Sequence, residues 1–166
     1  ASACRPTSGW GCADTDSDAQ NPMTRIVLLG TGLLGEAIGL RLLAQGVQLR
    51  VWNRTPDRSQ RLIDAGAAPI SKLEGAAADC DGVITVLRDG PVTQQVVAEL
   101  GDLQGRCIIP MGTMGVTEIR ALARQVQQQN GTCMEAPVLV SKPQAPNGTL
   151  PVIAGGEQRL FDLPRP

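Results

Sequence analysis

The fold is decided by the stretch Ile26-Val27-Leu28-Leu29-Gly30-Thr31-Gly32-Leu33-Leu34-Gly35, in which an apolar run leads into a Gly-x-Gly-x-x-Gly turn. The apolar run predicts a buried strand, and the amphipathic residues 33–45, followed by Gly46, predict a helix. In such a turn the first glycine allows a tight bend, the second lets the backbone approach a phosphate, and the third lets helix and strand pack closely. The helix N-terminus offers free N–H groups and a positive dipole end to an anion. With a second predicted strand at residues 48–52, we interpret the turn as a pyrophosphate-binding loop.

The residues after the second strand indicate which dinucleotide the turn binds. An Asp or Glu at this place would accept hydrogen bonds from the 2′-hydroxyl of the adenine ribose, but the chain has Asn53-Arg54-Thr55. Asn and Arg offer donors and a fixed positive charge, which suit a 2′-phosphate. The sequence therefore predicts NADP(H) rather than NAD(H), with Arg58 as a further candidate contact. The alternative, that Arg54 is only a solvated charge in a surface loop, stays open.

The composition excludes several classes of function. The chain has 166 residues, of which 42% are hydrophobic and 19% charged, and this suffices for one domain with a substantial core. A net charge of −1 and an aromatic content of 2% argue against nucleic-acid binding, and no apolar run is long enough to span a bilayer. The five cysteines are scattered without a C-x-x-C pair, which argues against a disulfide framework and a zinc site. We expect a cytoplasmic protein without a metal site, in which Cys107 is a buried structural thiol.

The chain divides into a short tail and one α/β domain. Residues 1–22 are rich in Ser, Asp, Gly and Ala and lack hydrophobic periodicity, so we predict a disordered tail or translated upstream sequence before Met23. Residues 23–166 alternate short apolar runs with helical patterns, which is typical of βαβ units in a doubly wound, mostly parallel sheet. Further helices are predicted from Ser71, from Pro91 to about Leu100, and over residues 117–129. The predicted strands are residues 25–29, 48–52, 68–70, 82–87, 107–111, 132–136 and 149–154.

The missing residue types limit the chemistry of the site. Without His or Tyr, the chain lacks two common ways of passing a proton to a carbonyl during hydride transfer, a His general acid and a Tyr-x-x-x-Lys arrangement. Lys72 belongs to the predicted capping box that begins at Ser71 and is most simply a solvated charge. Lys142 follows the predicted strand at residues 132–136, so it is a weak catalytic candidate, with a plain surface charge as the alternative.

Taken together, these motifs resemble the N-terminal domain of the β-hydroxyacid dehydrogenases, the group of 3-hydroxyisobutyrate dehydrogenase and glyoxylate/succinic semialdehyde reductase, which is related to 6-phosphogluconate dehydrogenase. The glycine turn and residues 51–56 are similar to the family's NADP-type Rossmann motifs, and residues 86–89 to the segment that lines its cofactor. Glu135-Ala136-Pro137-Val138, followed by Ala145 and Gly148-Thr149-Leu150, resembles its substrate loop. The resemblance implies a Rossmann fold, NADP(H) as cofactor, and hydride transfer to a small carbonyl substrate in the full-length family.

The motifs and the resemblance together imply a set of site residues. The substrate side departs from the family pattern, because residues 110–113 keep only the Thr expected near the nicotinamide and Leu139-Val140 replaces a Ser-Gly pair. An imine substrate, as in the imine reductases that share the Trp52–Pro56 run, therefore stays open. The implied cofactor contacts are Gly30, Thr31, Gly32, Leu33, Leu34, Gly35, Asn53, Arg54, Thr55, Leu87, Arg88, Asp89, Val92 and Thr113, and the implied substrate contacts are Thr113, Val138, Leu139, Val140, Ser141 and Lys142.

The length of the chain is the largest departure from the family pattern. In the family a long helix and an all-helical domain follow the dinucleotide domain and bring the catalytic lysine and the dimer contacts. Residues 161–166 contain two prolines, which cannot continue a helix. We therefore expect a truncated family member that binds cofactor but is not a competent enzyme alone, whereas full-length members form homo-oligomers. Two alternatives are a non-catalytic cofactor-binding or interaction module and a doubly wound domain for another nucleotide.

Overall fold

A parallel sheet of six strands forms the centre of the computed structural model, which describes residues 24–138 and 151–156. The strands in chain order are β1 (Arg25–Leu29), β2 (Gln48–Trp52), β3 (Ala68–Pro69), β4 (Gly82–Thr85), β5 (Cys107–Pro110) and β6 (Thr132–Cys133). Their order across the sheet is β3-β2-β1-β4-β5-β6, and every pairing is parallel. The direction of winding reverses between β1 and β4, where sheets of this kind bind their ligands. The predicted doubly wound fold is confirmed.

Two of the helices begin where a nearby carboxylate accepts a free backbone N–H. The described part of the chain holds α1 (Leu33–Ala44), a 3₁₀ turn (Pro56–Ser59) that leads into α2 (Gln60–Asp64), α3 (Gly90–Ala98) and α4 (Val116–Gln128). Asp89 caps α3, because its Oδ1 accepts the N–H of Val92 at 2.9 Å. At the start of α4, the carboxylate of Glu118 accepts the N–H of Gly115 at 2.8 Å. The chain leaves α4 through Asn130, which has a φ of 57°.

Each face of the sheet carries its own hydrophobic core. Successive residues of a strand point to opposite faces, and β1 is buried on both sides, which explains its unbroken apolar run. On one face, strand residues of β1, β4 and β5 pack against α3 and α4, and on the other the strands pack against α1 and α2. The central residues of the first core are Val27, Leu29, Val83, Val97, Ile108, Leu122 and Val126, and those of the second are Ile26, Leu28, Leu49, Val51, Leu62 and Ile84.

Most predicted elements occur, with ends that differ by a few residues. The predicted helix from Ser71 is wrong: residues 74–79 form turns, Gly75 has a φ of 74°, and Lys72 instead forms an ion pair with Glu74 at 2.5 Å. The 3₁₀ turn and α2 were not predicted. In the predicted strand at 149–154, the described residues form only an isolated bridge of Val152 to Val138. Residues 1–23, 139–150 and 157–166 lie outside the described residues, and the predicted tail and chain end lie there.

Asp81, in the loop before β4, forms hydrogen bonds with the start of β1. Its Oδ2 accepts the N–H groups of Thr24 and Arg25, each at 2.9 Å, and its Oδ1 accepts a guanidinium N–H of Arg25 at 3.0 Å. Burial by itself would raise the pKa of the Asp81 carboxyl, but the hydrogen bonds from Arg25 and Thr24 and the charge of Arg25 outweigh it. The pKa of Asp81 therefore lies below its ordinary value.

We expect Asp81→Ala to lower the free energy of unfolding by about 1.5–3 kcal/mol near neutral pH, because it removes hydrogen bonds to a charged group. Since the folded-state pKa is lowered, this contribution is present above the unfolded-state pKa of about 3.9 and is lost as the pH falls through the folded-state value. Urea unfolding over a pH series measures it. Asp79→Ala, at an exposed aspartate nearby, is the matched control and should change stability by less than about 0.5 kcal/mol. If the difference in unfolding free energy between the parent protein and Asp81→Ala did not shrink in acid, the assignment would be contradicted.

Candidate functional site

The carboxyl ends of the central strands bring the predicted loops to one edge of the sheet. The strand β1 lies between β2 and β4, and the N–H of Gly30 donates to the carbonyl of Trp52 at 2.8 Å. The loops after β4 and β5 are in contact, since a Cβ placed on Gly112 would lie 3.0 Å from the carbonyl oxygen of Leu87. The glycine turn, the end of β2 and the loops that carry Leu87 and Thr113 are thus neighbours.

The three glycines of the turn occupy three different environments. Gly30 has a φ of 99°, and a Cβ there would overlap the carbonyl oxygen of Val86. A Cβ on Gly35 would overlap the carbonyl oxygen of Gly30, so this glycine lets α1 pack against the turn. Gly32 differs from both, because its φ of −68° and ψ of −176° are open to any residue and a Cβ there would meet nothing within 4 Å. Gly30 and Gly35 serve the fold, whereas Gly32 leaves a space in front of the helix.

The N-terminus of α1 faces that space without a side-chain cap. Gly32 is the N-cap, and no side chain among residues 24–138 and 151–156 bonds to the first N–H groups of the helix. The N–H groups of Leu33, Leu34 and Gly35 have no partner inside the helix by its geometry. Leu33 is 68% exposed. Free N–H groups, the positive end of the helix dipole and the open space at Gly32 together form an anion-binding arrangement.

Hydrogen bonds join the glycine turn to the loop after β2. Oδ1 of Asn53 accepts the N–H of Thr31 at 3.2 Å, and Nδ2 of the same side chain donates to the carbonyl of Thr55 at 2.9 Å. The hydroxyls of Thr31 and Ser59, both buried, share a hydrogen bond of 3.2 Å. Both ends of the Asn53 amide are therefore engaged within the protein. Ser59 was not among the predicted site residues, and nothing in the sequence around it singles it out.

The same loop carries exposed positive charge. Arg54, Thr55 and Arg58 are exposed, with Asp57 between them. Within the described residues neither Arg54 nor Arg58 takes part in an ion pair, whereas Arg61 of α2 is bound to Glu36 of α1 at 2.6 Å. The two guanidinium groups beside the end of β2 are thus available to an anion.

The loop after β4 and the first turn of α3 hold four of the predicted cofactor contacts. Leu87 and Val92 are half-buried against the core. Asp89 is occupied by its cap on α3, and its Oδ2 also accepts from Nε of Arg88 at 2.7 Å. The hydrogen bond from the N–H of Val92 is the main cause that lowers the pKa of the Asp89 carboxyl, and the hydrogen bond from the Arg88 side chain lowers it further. Arg88 is 78% exposed at its side chain and lies at the rim of this edge.

The predicted substrate contacts fall partly outside the described residues. Thr113 is exposed in the loop after β5, and Val138 is half-buried. Leu139, Val140, Ser141 and the catalytic candidate Lys142 lie outside the described residues.

The described cysteines are free thiols. Cys107 is 4% exposed, as predicted for a structural thiol, and burial raises its pKa. Burial is the main cause that raises the pKa of Cys133 to about 12, and the neighbouring Cys107 and Glu135 add to this increase. Residues 24–138 and 151–156 contain no group of three metal-ligating side chains and no helix long and apolar enough to cross a membrane.

Most of the chain matches a known protein family. Residues 25–166 match the family model of the NAD-binding domain of 6-phosphogluconate dehydrogenase. The chain belongs to this family. It is an NAD(P)-binding domain of the hydroxyacid dehydrogenase and reductase type, and the resemblance stated from the motifs is confirmed.

Relatives of this NAD-binding domain include several reductases. The 3-sulfolactaldehyde reductase of Escherichia coli is 32% identical over 149 residues, which cover 87% of this chain and 50% of that protein. Glyoxylate/succinic semialdehyde reductase 1 of Arabidopsis thaliana is 29% identical over 139 residues, which cover 81% of this chain and 48% of that protein. An imine reductase from Pseudomonas sp. superimposes with a TM-score of 0.78 at 25% identity, over 85% of this chain and 50% of that structure. The chain spans about half the length of each of these three proteins.

Proposed function

We propose that this domain binds NADP(H) in preference to NAD(H) and serves an oxidoreductase that transfers hydride to a small carbonyl compound. The observation that supports the choice of cofactor is the pair of exposed guanidinium groups, Arg54 and Arg58, beside a second strand that ends without an acid. A 2′-phosphate carries about two negative charges and several acceptor oxygens, which arginine binds well. The single exposed carboxylate in this loop, Asp57, leaves the local charge positive.

The chain's own residues bind and orient the cofactor along the sheet edge. The open space at Gly32 and the N-terminus of α1 fit a pyrophosphate, and the loop after β2 fits the adenosine 2′-phosphate. The loops that carry Leu87 and Thr113 would then lie along the nicotinamide side. NADPH supplies the hydride when it is bound. The domain's part in the reaction is to hold the ring at a fixed place, so that the substrate meets it in a defined geometry.

The class of substrate rests on the relatives. Both reductases named above act, by their names, on aldehydes, and this supports a small aldehyde or keto compound. A cyclic imine is the second candidate, favoured by the similarity to the Pseudomonas imine reductase and by the Trp52–Pro56 run. Monitoring NADPH absorbance with succinic semialdehyde, glyoxylate and a cyclic imine, with this domain joined to a helical domain of the family, separates the two candidates. Free thiols at Cys80, Cys107 and Cys133 support a reducing compartment such as the cytoplasm.

Arg54→Ala should lower the affinity for NADPH by about 10- to 150-fold and leave the affinity for NADH nearly unchanged. The range corresponds to the loss of one hydrogen bond to a charged group, about 1.5–3 kcal/mol. Fluorescence titration with each dinucleotide measures both constants. Arg124→Ala, at an exposed arginine in the middle of α4, removes the same charge far along the sheet and should change neither affinity. Equal affinities of the parent protein for NADPH and NADH would overturn the proposed choice of cofactor.

A further inference from the structure

The side chain of Asn53 connects two anion-binding segments of the site. Its Oδ1 accepts the N–H of Thr31, the residue before Gly32, and its Nδ2 donates to the carbonyl of Thr55, the residue after Arg54. The amide thus bonds to the pyrophosphate turn at one end and to the arginine loop at the other. An aspartate could not make both bonds, because an ionised carboxylate only accepts.

A second connection lies beneath the first. The hydrogen bond between the hydroxyls of Thr31 and Ser59 is inaccessible to water, since these residues are 3% and 4% exposed. The N–H of Arg58 donates to the carbonyl of Thr55 at 3.1 Å, so this carbonyl accepts two hydrogen bonds from its own loop. Buried polar groups lose much stability when they are left unpaired, which favours keeping this set of bonds intact. Residues 53–59 are therefore attached to the turn near both ends.

We propose that the glycine turn and residues 53–59 act as one hydrogen-bonded unit, in which Asn53 is the positioning residue that couples pyrophosphate binding to recognition of the 2′-phosphate. The inference rests on the proposed NADP(H) binding and adds a role for Asn53 that does not require contact between its amide and the phosphate. Loss of the amide frees the N–H of Thr31 and loosens the turn that every dinucleotide uses. It also releases the carbonyl of Thr55 and loosens the loop that holds Arg54.

This role gives Asn53→Ala a signature that differs from that of Arg54→Ala. Asn53→Ala should weaken NADH binding by about tenfold and NADPH binding by more, because turn and loop are both affected. Arg54→Ala should weaken NADPH binding alone. In the double variant, the factor by which Arg54→Ala lowers NADPH affinity should be at least about threefold smaller than it is in the parent protein, since a loose loop no longer presents the guanidinium well. Titration of the four proteins with both dinucleotides yields this cycle.

Two further variants separate positioning from general stability. Asn53→Asp keeps an acceptor for the N–H of Thr31, so it should restore NADH binding to the parent level or above, while NADPH binding stays weak because the carboxylate repels the 2′-phosphate. Gln60→Ala removes an exposed amide from the adjoining helix, where it bonds to Asp64 at 2.7 Å, and should change neither affinity. Melting temperatures of all variants are recorded beside the affinities.

Some results would contradict only the coupling through Asn53, and others would also contradict the proposed binding of NADP(H). An additive cycle, an unchanged NADH affinity in Asn53→Ala, or a lower melting temperature without any change in affinity would each overturn the coupling, while the choice of cofactor could still hold. NADH binding by Asn53→Asp as weak as that of Asn53→Ala would also contradict it. A parent protein that binds neither dinucleotide would overturn both proposals.

Discussion

Gly32→Val is expected to weaken the binding of both NADPH and NADH by more than about 100-fold while leaving the protein folded. The backbone at this position has a φ of −68° and a ψ of −176°, which a valine can adopt, and a Cβ meets nothing within 4 Å. The branched side chain would therefore extend into the space in front of α1. In the proposed binding mode the helix N-terminus offers its N–H groups to the pyrophosphate in that space, so the variant should exclude the ligand without disturbing the core.

Titration calorimetry and circular dichroism on the same sample test this expectation. Gly115→Val is a matched control, because Gly115 is the N-cap of α4 with a φ of −70° and a ψ of 155°, and a Cβ there would lie at an ordinary contact distance of 3.5 Å from Oε2 of Glu118. The control should keep dinucleotide affinity within about threefold, since it alters a helix N-cap outside the pyrophosphate turn. Normal cofactor binding by Gly32→Val would mean that the pyrophosphate lies elsewhere.

Gly35→Ala should lower the free energy of unfolding by about 3 kcal/mol, the upper end of the usual range for overpacking. The new methyl group would overlap the carbonyl oxygen of Gly30 and lie 3.5 Å from Cβ of Val86. The obstructing atom belongs to the backbone, so a change of rotamer cannot relieve the overlap. This is the opposite of the usual effect in a helix, where alanine stabilises relative to glycine by about 1 kcal/mol.

Urea unfolding of Gly35→Ala is best compared with that of Gly32→Ala. A methyl group at Gly32 meets open space, so Gly32→Ala should change stability by less than about 1 kcal/mol. The two glycines of one turn thus separate a role in folding from a role in binding. Equal stability of the two variants would show that α1 can shift away from the turn at little cost.

The fold could be predicted where the signal is local. The unbroken apolar run of β1 reflects burial on both faces, and the glycine turn fixes where α1 begins. The segment at 71–74 shows the limit of such reasoning. Its residues match a capping box, but Leu73 is buried in the core with an exposed fraction of only 5%, and Gly75 takes a φ of 74°. Tertiary packing therefore overrides the local preference for a helix.

The site could be predicted in part for the same reason. Gly32 and Arg54 belong to patterns in which spacing and residue type carry the chemistry. Ser59 does not, because its hydroxyl acquires meaning only when the chain brings it next to Thr31, which lies 28 positions away in sequence. The use of both ends of the Asn53 amide is equally invisible until Thr31 and Thr55 are placed around it. Contacts that depend on long-range packing have no short sequence pattern.

The attachment of the glycine turn on several sides has a consequence for the rate and the entropy of binding. The N–H of Gly30 is bonded to Trp52, that of Thr31 to Asn53, and the hydroxyl of Thr31 to Ser59. Most of the conformational entropy of the turn is thus lost when the domain folds and not when a ligand arrives. Association should then proceed in a single diffusional step without a slow loop rearrangement, and differences in affinity among variants of the loop should appear mainly in how fast the cofactor leaves.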